Sequence, residues 1–311
     1  VGSGDEMKKI WLKVLILSAI LLAMSLHIAA ANPDKIFAII SSDAQQYKLA
    51  YSGFKETIEK NTKASITYGI INDQNHSELS TKISSYNPEI LLAIGTKALK
   101  FAKEVQGQRK IIHCMVFSEN ENNDNNTAGI EFNIPEEYKV IKLKGIIPNH
   151  GTLGVIYTGA SEKQFKSLKK ACEENGIPLL NIRIESGEGF AKALNRIKNR
   201  IDLYMMVTDS VLYYPGSVQY LFRESIDNGF GVIGLSSFYT KAGAVLSFDY
   251  DYYYVGVDAA HLTFKRFFTG VDGKTDVSGR ILYSLNISVA AELGINLSKE
   301  SVDKAAEVFG K

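Results

Sequence analysis

From Ile36 onward the chain alternates short apolar runs with stretches whose apolar residues recur at helical spacing. Residues 36–40 form a continuous apolar run. Ser41-Ser42-Asp43 follows, and then a stretch in which Tyr47, Tyr51, Phe54 and Ile58 share one helical face. Further apolar runs at 64–70 and 90–94, the second closed by Gly95-Thr96, alternate with helices predicted at about 77–86 and 97–105. A fourth run covers 111–117. Uninterrupted apolar strands in β-α-β-α-β-α-β order predict a parallel sheet with helices on both faces.

Residues 118–126, rich in Asn, read as a polar loop. A strand at 128–132 and a helix at 136–144 lead to Pro148, where the alternation restarts. Strands are predicted at 152–157, 179–184, 203–207 and 231–235, and helices at 162–175 (closed by Gly176), 189–199 and 218–228. The tail adds a strand at 245–248, a helix at 254–268, a strand at 281–285 and helices at 288–293 and 299–309. The fold class is α/β, with two doubly wound parallel-sheet lobes. The lone strand-helix-strand unit of the tail is expected to return to the first lobe and come back. Crossings near Pro148, Asp249 and Asn286 then give lobe 1 as residues 32–149 plus 250–285, and lobe 2 as 150–249 plus 286–311.

Composition removes whole classes of function. Among 311 residues, 35 Lys and Arg nearly cancel 34 Asp and Glu, which leaves no electrostatic footprint for nucleic acid and no polybasic membrane patch. The five His are scattered and no CxxC or HExxH spacing occurs, so no metal or other cofactor is expected. The two cysteines, Cys114 and Cys172, lie in different halves of the chain and are read as separate buried thiols, with a bridge as the alternative.

The N-terminal stretch changes the compartment. Met7-Lys8-Lys9-Ile10-Trp11-Leu12-Lys13 is basic, residues 14–28 are largely apolar, and Ala29-Ala30-Ala31 supplies a small-residue cleavage pattern. This predicts a secretory signal peptide over residues 1–31, cut after about Ala31. A membrane anchor is the alternative, although the run is short of the roughly 20 residues a spanning helix needs. No Cys follows it to carry a lipid. Residues 1–6 read as a cloning remnant or an over-long start. Cleavage would remove Trp11, the only tryptophan.

In doubly wound sheets, ligands bind outside the carboxyl ends of the strands, where helix N-termini present backbone N–H groups. The polar strand ends are therefore the candidates: Ser41-Ser42-Asp43, Gly95-Thr96, Ser118-Glu119-Asn120, Thr158-Gly159-Ala160-Ser161, Thr208-Asp209-Ser210 and Ser236-Ser237. Helix capping is the competing role for each small hydroxyl residue. A carboxylate would suit Gly95-Thr96, Asp209 would suit an ammonium, and Tyr157 or Phe238 would supply a flat wall. Gly273-Lys274-Thr275 imitates the end of a phosphate loop, but position 268 is Phe and a strand follows. Neither G-x-G-x-x-G nor G-x-S-x-G is present, so dinucleotide binding and a serine hydrolase lose support. Asp249-Tyr250-Asp251-Tyr252-Tyr253-Tyr254 reads as a solvated turn entering a helix, with only Tyr250 singled out.

The chain resembles the solute-binding proteins of ABC transporters, specifically the tryptophan/tyrosine-type binding family. The resemblance is carried by Ile94-Gly95-Thr96-Lys97-Ala98, Thr152-Leu153-Gly154-Val155-Ile156-Tyr157, Val207-Thr208-Asp209-Ser210, Gly243-Ala244 with Asp249-Tyr250, and Leu285-Asn286-Ile287 with Ala290-Ala291-Glu292-Leu293-Gly294-Ile295. It implies the type I periplasmic-binding-protein fold: two lobes on a three-strand hinge, a ligand trapped between them, and delivery to a membrane permease and its ATPase.

With no clustered His, reactive Cys setting or phosphate loop, an enzyme is not expected. The leader predicts a periplasmic location, and the receptor is expected to be a monomer. An aromatic or other amino acid is the ligand the resemblance implies. A sensory module signalling to a membrane receptor is the alternative. Gly95-Thr96 and Thr208-Asp209 match the family's contacts, Ser210 stands where Asn is common, and Lys163-Gln164 replaces an Asn-Ser pair. Ser118-Glu119-Asn120-Glu121 replaces an Asp-Pro loop. The ligand contacts expected in lobe 1 are Ser42, Asp43, Gly95, Thr96 and Ser118. In lobe 2 they are Tyr157, Gln164, Asp209, Ser210, Ser236 and Phe238.

Overall fold

The computed structural model describes residues 34–116, 125–269, 275–277 and 280–310. The predicted leader, Ser118 with most of its loop, and Gly273-Lys274 lie outside them. In chain order the elements are β1 (Lys35–Ile40), α1 (Gln45–Asn61), β2 (Ser65–Ile70), α2 (His76–Tyr86), β3 (Ile90–Ile94), α3 (Thr96–Glu104), β4 (Lys110–Val116) and β5 (Thr127–Glu131). They continue with α4 (Glu136–Ile146), β6 (Leu153–Tyr157), α5 (Glu162–Asn175), β7 (Leu179–Arg183), α6 (Phe190–Ile197), β8 (Leu203–Met205) and α7 (Pro215–Asn228). The chain finishes with β9 (Gly231–Gly234), α8 (Ser237–Ala242), β10 (Leu246–Tyr250), α9 (Tyr252–Thr263), β11 (Thr275–Val277), β12 (Ile281–Asn286), α10 (Ile287–Glu292), α11 (Lys299–Lys304) and β13 (Glu307–Phe309). Among the described residues no helix is long and apolar enough to cross a membrane.

Two compact units result, and the chain passes between them after residues 131, 255 and 276. The first holds a six-stranded sheet in the order β11-β5-β4-β3-β1-β2. Strands β1, β3 and β4 are buried along nearly their whole length, as expected of parallel strands covered on both faces. Phe37, Ile39, Leu91 and Ile111 from these strands pack with Leu79 and Ile83 of α2 and Leu99 and Phe101 of α3. Burial of each such side chain contributes about 1.5–3 kcal/mol. Segment 256–276 docks back onto this unit through Gly256, where a Cβ atom would lie 1.9 Å from the Ala50 carbonyl oxygen of α1. Only glycine permits that approach.

The second unit holds a seven-stranded sheet in the order β13-β12-β10-β9-β8-β6-β7. Its observed pairs are parallel except for β10 with β12, where Leu246 faces Leu285 and Phe248 faces Tyr283 in antiparallel register. Between these two strands the chain leaves the unit and returns to it.

Three expectations from the sequence are corrected here. The 136–144 helix and the 281–285 strand, expected in lobe 1, belong to the second unit. The first is α4, which packs on α5 and whose Ile146 carbonyl accepts from Ser298 N–H (3.0 Å); the second is β12. The predicted 299–309 helix stops at Lys304, because Ala305 is extended and Ala306 N–H bonds the Tyr283 carbonyl (2.9 Å). Residues 307–309 then pair with β12 as a parallel edge strand. The helix predicted at 254–268 is α-helical only to Thr263 and ends in a π turn over Phe264–Phe268.

Candidate functional site

Both sheets share one winding. The order β2-β1-β3-β4-β5 in the first unit is repeated as β7-β6-β8-β9-β10 in the second. The connections therefore diverge between β1 and β3, and again between β6 and β8. Such switch points are where open parallel sheets leave a crevice for ligands. The strand-end residues singled out in the sequence fall on them. Ser41-Ser42-Asp43 follows β1, Gly95 precedes α3 just after β3, Thr158–Ser161 follows β6, and Thr208-Asp209-Ser210 lies beyond β8.

In the first unit, Ser41 ties the two loops together. Its N–H donates to the Ile94 carbonyl (3.0 Å), and its Oγ accepts from Ala98 N–H in the first turn of α3 (2.8 Å). Gly95 makes this possible with φ +94°: a Cβ there would lie 2.5 Å from Ser41 Oγ and 2.7 Å from Tyr47 Cε1. With Leu99 N–H bonded to the Gly95 carbonyl (3.0 Å), the amides of Thr96 and Lys97 are left without an acceptor among the described residues. Thr96 itself is exposed. This helix start combines two open N–H groups, a hydroxyl and the helix dipole, a setting suited to a carboxylate. Ser42 Oγ accepts from Ala44 N–H (3.3 Å), and exposed Asp43 pairs with Lys48 (2.7 Å). Both are thus engaged in local turn contacts.

In the second unit the corresponding brace is Asp209. Its side chain is buried, at 4% exposure, and Oδ2 accepts from the Thr158 hydroxyl (2.7 Å), the Thr158 amide (3.3 Å) and the Ser161 hydroxyl (2.6 Å). Oδ1 accepts from Val211 N–H (3.0 Å). The carboxylate expected to receive an ammonium is thus hydrogen-bonded from within its own unit, with three donors on Oδ2 and one on Oδ1. Behind it, Tyr204 and Tyr213 join hydroxyls at 3.1 Å, and burial pushes both phenols upward from the usual tyrosine range.

Gln164, in the first turn of α5, connects three elements. Its Nε2 donates to Glu136 Oε1 at the start of α4 (2.7 Å), and its Oε1 accepts from Thr208 N–H (2.8 Å). The same Glu136 oxygen accepts from Lys139 Nζ (2.7 Å). Sequence reading missed Glu136, yet a signal was present. Glu136, Val140, Leu143 and Ile147 recur at the spacing of a buried helix face.

The remaining candidates differ in availability. Tyr157 is 9% exposed, and Phe165 stacks on it with centroids 3.8 Å apart, so one face of its ring is already covered. Ser210 is exposed. At the neighbouring end of β9, Ser236 is half-buried and precedes α8, while Phe238 is 71% exposed. Nearby, Asp249 accepts from the amides of Ser237 (3.2 Å) and Tyr250 (2.8 Å), and burial holds its carboxyl above the usual carboxylate range. Tyr250 is buried and stacks on Phe132 at 4.5 Å. Among the described residues no group of His, Cys, Asp and Glu is placed to hold a metal ion.

Two similarly wound α/β sheets thus carry polar residues at their switch points. Residues 35–309 match the model of the ABC transporter substrate-binding protein family, and the chain belongs to that family. Solved structures share its type I periplasmic-binding-protein fold. A substrate-binding protein with adhesive properties from Clostridium difficile, in a ligand-free open form, is 18% identical with a TM-score of 0.73, over 89% of this chain and 100% of that one. An ABC domain from Streptococcus pneumonia in complex with L-Trp is 16% identical with a TM-score of 0.61, over 88% and 99%. A conserved domain protein from Vibrio cholerae O1 biovar eltor is 17% identical with a TM-score of 0.61, over 88% and 99%. No curated protein sequence matches the chain.

Proposed function

We propose that this family member is an exported, monomeric receptor that captures an amino acid and presents it to a membrane permease and its ATPase. The observation that carries this reading is the open start of α3. There the Thr96 and Lys97 amides and the Thr96 hydroxyl offer donors to a carboxylate beside a loop fixed by Ser41. In the second unit, Gln164 is held by Glu136 and Thr208, while Ser210, Ser236 and Phe238 stay exposed or half-buried and are the contacts this reading assigns there. Asp209 is a brace rather than a contact, and Tyr157 offers at most one ring face. The fold shared with a protein holding L-Trp supports the amino-acid class, and the basic start with its apolar run supports export. The chemistry is binding without bond making.

A thermal-shift screen against the common L-amino acids and their carboxylate-free amine analogues tests this. A ligand that binds only the folded state stabilises it by about 2.7 kcal/mol at a concentration 100 times its dissociation constant. One or a few amino acids should raise the melting temperature, and their carboxylate-free analogues should not. A screen in which no amino acid shifts the melt would overturn the reading.

A further inference from the structure

Glu136 carries an acceptor that no described residue uses. The residue is 5% exposed and Lys139 is 8% exposed. Oε1 is doubly occupied, by Lys139 Nζ and Gln164 Nε2, whereas Oε2 is buried and no described residue donates to it. Leaving a buried acceptor unmatched is unfavourable by about 1–3 kcal/mol. A donor on a bound ligand would be one partner for it.

The other oxygen of the carboxylate ties it to a polar strand end. The bonds run from Glu136 through half-buried Gln164 to the amide of exposed Thr208, at the β6/β8 switch point. The charge says what the partner would be. Lys139 already neutralises the carboxylate at 2.7 Å, so a second cation would add an uncompensated buried charge beside that ammonium. A neutral N–H or O–H group satisfies the open lone pair without that penalty.

We propose that Glu136 Oε2 is a specificity contact that accepts a hydrogen bond from a neutral donor on the ligand's side chain, with Gln164 holding the carboxylate in place. The ligand is then an amino acid bearing an amide, hydroxyl, phenol or indole donor. This rests on the amino-acid reading above. A site built to hydrogen-bond a donor rejects the analogue lacking it far more strongly than an apolar pocket rejects a missing methylene.

Calorimetry on the purified chain tests this with matched pairs: L-tyrosine and L-phenylalanine, L-tryptophan and 1-methyl-L-tryptophan, L-glutamine and L-methionine. One donor-bearing member should bind at least about 100-fold more tightly than its partner. In the double variant E136L/K139M both charges leave together, a replacement that buried ion pairs commonly tolerate. There the discrimination within the pair should fall below about tenfold. A ligand-bound crystal structure of the unaltered chain supplies a readout independent of the variant's folding. The side-chain donor should lie about 3 Å from Glu136 Oε2.

Equal binding within every pair, retained discrimination in the variant, or a donor bonded elsewhere would overturn the proposal and leave the receptor reading standing. If no amino acid of any pair binds and none shifts the melt in the wider screen, the amino-acid reading fails, and this contact fails with it.

Discussion

Thr158 and Asp209 stand 51 residues apart, and a 2.7 Å hydrogen bond joins the hydroxyl of one to the carboxylate of the other across the β6/β8 switch point. With the Ser161 hydroxyl on the same oxygen at 2.6 Å, the two loops are held in one arrangement. Ser41 performs the equivalent task between β1 and β3 with backbone partners. A binding edge assembled from loops depends on such braces, because polar contacts gain strength from being positioned before the ligand arrives.

Replacing Asp209 by Ala removes the acceptor shared by Thr158 and Ser161 and leaves buried donors unmatched. The variant should lose about 1–3 kcal/mol of stability, read as a lower urea midpoint with an unchanged slope. A midpoint equal to that of the parent chain would show that the brace carries no stability.

Gly95→Ala places a Cβ at φ +94°, within 2.5 Å of Ser41 Oγ. Strain at a positive φ together with this overlap should destabilise the chain by more than about 1 kcal/mol. It should also weaken ligand binding, since the α3 start and the Ser41 loop must both shift. Differential scanning calorimetry and a ligand titration on the same preparation check the two effects together.

Cys114 and Cys172 are free and buried, and burial pushes both thiols up to about 12. A thiol-specific disulfide reagent near pH 8 should therefore leave the folded chain unmodified and label two thiols once it is unfolded. The same shift has a thermodynamic side. In the unfolded chain these thiols ionise near 9, so between pH 9 and 12 the folded state retains protons that the unfolded state has released. Their contribution to stability is complete below pH 9 and is lost as the pH rises toward 12. Denaturant midpoints should fall on that alkaline limb, and a Cys114→Ala/Cys172→Ala variant should show a shallower fall.

On the acid side, the Lys198 ammonium hydrogen-bonded to Glu224 at 2.6 Å holds that carboxyl below its usual value. The contribution is present above the ordinary carboxylate range and is lost as the pH falls through the lowered folded value. Lys198→Met should therefore reduce the difference between midpoints measured at neutral and acid pH. An undiminished difference would assign the acid limb to other carboxyls.

The sequence was most legible where one local signal decides the outcome. The apolar run Ile90–Ile94 is a strand with those bounds, and Glu162–Asn175 is a helix that ends where Gly176 was expected to end it. Residues 307–309 were read into a helix because a three-residue edge strand has no periodicity of its own, and its pairing with β12 is a property of the sheet. The antiparallel entry of β12 was hidden for a similar reason, since an apolar run does not encode direction.

At the site, an exposed carboxylate and one engaged by Thr158 and Ser161, as Asp209 is, look alike in sequence. Gln164 was reached through the family resemblance. Its partner Glu136 is not among the sequence candidates, although its place on the Val140-Leu143-Ile147 face marks it as buried.

The most direct test of a receptor role is native mass spectrometry of the purified chain mixed with the common L-amino acids at millimolar concentration. A single 1:1 adduct with the mass of one amino acid bearing a side-chain donor is the expected result, and it should be displaced only by that amino acid. A spectrum of unliganded protein alone, across the whole mixture, would contradict amino-acid capture by this chain.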